Sequence, residues 1–139
     1  MIMKRTIGAT LFGALLSLQA VAEVVVVVHP DNQATITKQN VQRLFLGKET
    51  AFPSGEVATI VKQPATNPLR AEFDGDVLGR NTAQVSAMWA KLVFTGRGIA
   101  PQEVETDAKV IEFIQGDKNA IGYIDSASVN GDVKVVNLD

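Results

Sequence analysis

A chain of 139 residues, 46% hydrophobic and 20% charged, is long enough for one globular domain and too short for two full ones. Its formal net charge of −2 arises from scattered residues with no Lys/Arg cluster, which argues against a nucleic-acid-binding surface. It has no cysteine, which excludes thiol catalysis, disulfides, cysteine-based metal sites and a lipid-modified lipoprotein cysteine.

The first segment has the three parts of a secretory leader: Lys4 and Arg5, an apolar run from Ile7 to Leu18, and the small-x-small triplet Ala20-Val21-Ala22. Spanning a bilayer needs roughly 20 apolar residues, and Gln19 and Glu23 interrupt the run before that length. The expectation is a signal peptide over 1–22 and a single domain over 23–139, periplasmic or secreted and without membrane insertion after cleavage. Loss of Lys4 and Arg5 leaves 11 basic against 15 acidic side chains, a net charge of −4.

Val24 to Val28 are five consecutive β-branched residues, the pattern of a strand buried on both faces. His29-Pro30-Asp31-Asn32 ends it. Thr37 is placed to cap a helix, with Ile36 and Val41 as its hydrophobic staple, Val41, Leu44 and Phe45 as its apolar stripe, and Gly47 just past its end. Val57 to Val61 reads as a second strand after the Pro53-Ser54-Gly55 turn. Asn67-Pro68 reads as an N-cap followed by proline at the first helical position, with Leu69, Phe73 and Val77 inward and Gly75 weakening the helix. Val85, Met88, Trp89, Leu92 and Val93 follow helical spacing up to Gly96. Thr106 opens a fourth helix with Val110, Phe113 and Ile114 inward and Gly116 beyond its end. Ala120 to Ile124 and Val133 to Val136 complete the strands. The order β-α-β-α-α-α-β-β predicts an α/β fold with a mostly parallel sheet and helices on both faces.

Several motifs in this order resemble the second lobe of phosphate-type solute-binding proteins of ABC transporters. Arg43-Leu44-Phe45-Leu46-Gly47-Lys48 stands where that family ends a helix in an Ile-Phe-x-Gly-Lys-like turn. Trp89 and Phe94-Thr95-Gly96 look like its Trp helix and Phe-Thr-Gly turn, and Asn119-Ala120-Ile121-Gly122-Tyr123-Ile124 resembles its late Gly-Ala-Ile-Gly-Tyr strand. The resemblance covers nearly all of residues 24–136 and implies one lobe of a type 2 periplasmic-binding-protein fold, with phosphate or another small oxyanion as ligand.

The departures bear on that ligand. Aligning Phe73 with the family's aromatic puts Asn67-Pro68-Leu69-Arg70 where Ser-Gly-Thr-Arg is usual, and puts Gln63 where the family has a further arginine. Two hydroxyl donors are lost, and Pro68 has no N–H to offer. Oxyanion recognition of this kind depends on helix N-terminal N–H groups and a bidentate arginine. A lone lobe also lacks the donors that a second lobe brings across the cleft. The remaining candidate site is Thr66, Asn67 and Arg70, and its bland alternative is Asn67 as a plain cap with Arg70 paired to Asp74 four residues on.

Other residues have similar alternatives. His29, the single histidine, follows a buried strand and could reach the carboxyl end of the sheet, where open α/β sheets bind ligands; a capping or surface role is the simpler reading. Asp74-Gly75-Asp76 lacks the rest of a calcium loop, so both aspartates read as solvated. Trp89 reads as core and Tyr123 as partly exposed near a cleft. Gly96-Arg97-Gly98 has no following Lys-Ser/Thr, and no G-x-S-x-G elbow surrounds any serine. The expectation is a non-enzymatic binding module without cofactor or metal. Its rival is a structural or protein-interaction subunit of an envelope or secreted assembly that no longer binds solute and instead binds a protein partner or self-associates.

Overall fold

A computed structural model describes residues 23–139; the expected leader, 1–22, lies outside the described residues. The elements are β1 (Val24–Val28), α1 (Lys38–Phe45), β2 (Thr59–Lys62), α2 (Pro68–Asp76), α3 (Thr82–Phe94), β3 (Gln102–Glu103), α4 (Asp107–Gly116), β4 (Ala120–Asp125), a 3₁₀ turn (Ser126–Ser128) and β5 (Lys134–Val135).

The five strands form one sheet in the order β3-β2-β4-β1-β5. β2 pairs in parallel with β3 and β4, whereas β1 runs antiparallel to both β4 and β5. Four strands therefore point one way, and β1 runs against them between β4 and β5. The valine run is buried on both faces, as continuous β-branching predicts. Val26 and Val28 join the core beneath α1, α2 and α3, while Val27 faces the second core beneath α4. β4 alternates in the same way, with Ile121 and Tyr123 on one face and Ala120 and Ile124 on the other. Gly122 lies on the α4 face, where a Cβ would come within 2.8 Å of Val110 Cγ1. The missing side chain lets α4 lie close against the sheet.

The helix starts follow local chemistry. Thr37 and Asn40 form a reciprocal capping box at α1, Asn81 and Gln84 form another at α3, and Thr106 Oγ1 accepts the Lys109 N–H at α4. Gly47 ends α1 with φ 69°, and a Cβ there would meet Leu92 Cδ1 at 2.4 Å. The positive φ is what calls for glycine; the Leu92 methyl is the end of a flexible side chain that can move aside. Gly75 does not interrupt α2, and its missing side chain faces open space.

Several expected boundaries shift. β2 begins at Thr59, because Val57 is engaged only in a single bridge with Ala51 and is largely exposed. Val93 was expected to face inward and is 45% exposed, next to a 92% exposed Phe94. The last turn of α3 runs past the surface that Val85 and Trp89 pack on. Ile111, which the expected stripe omitted, is buried in α4, while Phe113 is only partly covered, and Gly116 is the last helical residue rather than the one after it. β3 was not expected at all.

Candidate functional site

The carboxyl ends of the parallel strands β2 and β4 meet the first turns of α2 and α4, the usual ligand position of an open α/β sheet. Asn67 caps α2. Its Oδ1 accepts the Leu69 N–H at 3.0 Å, its carbonyl accepts the Arg70 N–H at 3.0 Å, and its own N–H donates to the Pro64 carbonyl at 2.9 Å. Pro68 has no N–H. Every first-turn donor of α2 that an oxyanion would use is thus absent or already committed within the chain.

The structure places Thr66 and Asn67 together on the wall of an open depression of about 640 Å³, which Glu103 and Glu105 also line. It takes Arg70 elsewhere. The Arg70 side chain is 2% exposed, and its Nε donates to Asp74 Oδ2 at 2.8 Å. Nη1 donates to the Gln63 carbonyl at 2.9 Å, and Nη2 approaches Ser86 Oγ at 3.5 Å. The i,i+4 pairing with Asp74 is the arrangement found. Asp74, expected to be solvated, is buried because this guanidinium compensates its charge, whereas Asp76 is exposed.

Tyr123 is also more enclosed than expected. It points to the α2 side of the sheet and stacks on Phe73, with ring centroids 4.1 Å apart and 8° between planes. Such a pair adds about 0.5–1.5 kcal/mol beyond burial. The Gln63 N–H donates to its hydroxyl at 2.9 Å. Burial pushes the phenol well above its usual 10, and the hydrogen bond from Gln63 and the nearby Arg70 charge oppose the shift. Half-buried Lys62 shifts downward, through burial first and Arg70 second, against the pull of Glu103 and Asp74.

His29 lies at the opposite end of the sheet. Because β1 is antiparallel to β4, Val28 pairs with Ile121 near the start of β4, and the residue after Val28 leaves away from the α2 and α4 N-termini. His29 Nδ1 accepts the Asp31 N–H at 3.0 Å and shapes a local turn. Among the described residues, no group of three or more His, Asp or Glu side chains is arranged to hold a metal ion. Trp89 is core, with Nε1 donating to the Phe45 carbonyl at 2.8 Å.

Two residues that the sequence reading did not select organise the site. Gln63, fully buried at the end of β2, donates through Nε2 to Asp107 Oδ1 at 2.7 Å and to the Tyr123 carbonyl at 3.2 Å, while its Oε1 accepts from Asn67 Nδ2. Asp107 opens α4, and its Oδ2 accepts the Asp125 N–H at 3.1 Å and the Ser128 hydroxyl at 2.7 Å. A further depression of about 440 Å³ beside them carries Glu72, Glu105, Asp107 and Asp125. The rim is therefore acidic and repels anions. The glutamine at position 63 and the Asn67-Pro68-Leu69 segment, where the resembled family has arginine and Ser-Gly-Thr, are the sequence signals that this corner differs; nothing singles out Asp107.

No family model matches the sequence, and no curated protein matches it significantly. Solved structures do match. A phosphate-bound substrate-binding protein from Clostridium perfringens superposes with a TM-score of 0.67 at 18% identity, over 85% of this chain and 45% of that one. An ABC-type phosphate transport receptor from Vibrio cholerae gives 0.67 at 18% identity, over 84% and 46%. PstS from Borrelia burgdorferi gives 0.63 at 12% identity, over 85% and 47%. The chain spans less than half the length of each. Its fold is that of one lobe of a phosphate-transporter substrate-binding protein.

Proposed function

We propose that this chain is an extracytoplasmic, non-enzymatic binding module on a phosphate-binding-protein-like lobe whose oxyanion site is degenerate. The observation that carries this reading is the fate of the α2 donors: Pro68 has none, Leu69 and Arg70 N–H groups are held by Asn67, and the Arg70 guanidinium faces Asp74 and Gln63. Thr66 and Asn67 remain as surface contacts for a phosphate or similar ion, with Arg70 as a buried neighbour. The acidic side chains around them oppose a dianion, so affinity is weak.

Isothermal titration with phosphate and sulfate tests this reading. Dissociation constants of about 1 mM or weaker are expected, corresponding to no more than about 4 kcal/mol of binding free energy; micromolar phosphate binding refutes a degenerate site. Export rests on the Lys4-Arg5, Ile7–Leu18 and Ala20-Val21-Ala22 pattern. Among the described residues, no helix is long and apolar enough to cross a membrane. Intact mass of chain recovered from a periplasmic fraction should correspond to a start at Glu23.

A second reading, an interaction subunit that docks to an envelope partner or to itself, is favoured by one surface. Val57, Phe94 and Ile99 are each more than half exposed, and Val57 and Ile99 border a largely apolar groove floored by Trp89. Light scattering after size exclusion tests the self-associating form. A monomer at about 100 µM, far above the Kd of a specific dimer, rejects it.

A further inference from the structure

The acidic corner beside α2 already holds an anion that the chain supplies. The Asp107 carboxylate receives hydrogen bonds from three separate segments: the Gln63 side chain after β2, the Asp125 N–H at the end of β4, and the Ser128 hydroxyl in the 3₁₀ turn. We infer that this corner is internally liganded: Asp107 fills a three-donor cradle made by Gln63, Asp125 and Ser128, and a chain lacking that carboxylate takes up a small monocarboxylate in its place.

The donors are fixed before any ligand arrives. Gln63 is wholly buried, with its Oε1 engaged by Asn67 Nδ2, its N–H by the Tyr123 hydroxyl and its carbonyl by Arg70 Nη1, so its amide cannot turn toward another partner. The cradle is also accessible, because Asp107 lines the open depression bounded by Asn67, Pro68 and Thr106. The neighbouring Glu72 and Glu105 set the ligand class: a compact monoanion such as formate is tolerated, and a phosphate dianion is repelled. The inference does not depend on export or on any partner, so it stands or falls separately from the proposed function.

The test is thermal unfolding of the wild type, Asp107→Ala, Asp107→Asn and the double variant D107A/S128A, in sodium chloride and in sodium formate at equal ionic strength. Asp107→Ala should unfold roughly 5–10 °C below the wild type in chloride. It should regain about half of that loss in 100 mM formate, with saturation, as a ligand that binds only the folded state requires. The wild type and Asp107→Asn, whose side chains still fill the cradle, should shift by less than about 1 °C. The double variant, lacking one donor, should regain less than D107A. Equal formate responses in D107A and the wild type overturn the inference, as does equal rescue by phosphate. If D107A is unfolded in chloride, refolding in formate becomes the readout, and failure to refold while Asp107→Asn is folded overturns it equally.

Discussion

Replacing Asp74 with alanine should be one of the most damaging single changes in this chain. Arg70 and Asp74 are 2% and 1% exposed and share a hydrogen bond of 2.8 Å. Removing the carboxylate leaves a guanidinium inside the fold with only the Gln63 carbonyl and a long contact to Ser86. Breaking a buried pair from one side costs about 3–5 kcal/mol. For a domain of this size the unfolding entropy is about 0.25 kcal/mol/K, so Tm should fall by roughly 12–20 °C. Replacing both partners with apolar residues of similar volume, in R70M/D74L, should lie within about 2 kcal/mol of the wild type, because the desolvation of both charges is avoided. Urea unfolding followed by circular dichroism and by the fluorescence of Trp89, the single tryptophan, gives both values. The double variant also separates structure from binding: it should leave any weak phosphate titration unchanged. A D74A protein within about 1 kcal/mol of the wild type, or a double variant that selectively abolishes phosphate binding, would refute the assignment of Arg70 to the interior.

Three further outcomes follow from the packing. Gly47→Ala should cost about 1–3 kcal/mol, from positive φ plus a Cβ 3.3 Å from the buried Trp89 ring, whereas Gly55→Ala, at φ 94° in open space, should cost about 1 kcal/mol in the same urea assay. Trp89→Phe should lose about 1–2 kcal/mol, because it orphans the Phe45 carbonyl at the end of α1. Tyr123 is the only tyrosine, and its folded-state pKa lies above the unfolded value of 10. The folded state therefore retains a proton that the unfolded state releases, so this group's contribution is complete below pH 10 and is lost as pH rises above it. Tyrosinate absorbance should appear together with unfolding, and Tyr123→Phe should show a shallower alkaline loss; tyrosinate forming in the intact fold would contradict the burial argument.

Local chemistry made much of this fold readable in advance. The Thr37, Asn67 and Thr106 caps, the Gly47 stop and the double-sided valine strand depend on neighbours within a few residues, and the structure has them where the sequence places them. Strand direction has no such local signature. A continuous β-branched run reports that both faces are covered and is silent on which way the strand points, so the reversal of β1 carried His29 to the far end. β3 consists of two exposed polar residues held by backbone pairing with Val61 and Lys62, and it leaves no hydrophobic period to detect. At the candidate site the limit was tertiary. Both uses of Arg70 were compatible with its helical spacing, and the choice was made by Gln63 and Ser86, which the fold brings to it from β2 and α3. Asp107 has the place of an ordinary acidic first-turn residue, and its role arises only once Gln63, Asp125 and Ser128 converge on it.

The reversed β1 also determines where attachments to this protein will sit. Val24 pairs with Asp125 and Val136 bonds to the Val26 carbonyl, so the chain enters and leaves the sheet on the side where α2 and α4 begin. A group attached next to Val24 or Val136 would therefore sit on the side of the acidic corner. The exposed Pro53-Ser54-Gly55 bend precedes β2 at the other end, and a cysteine introduced at Ser54 offers an anchor that leaves that corner open to solvent.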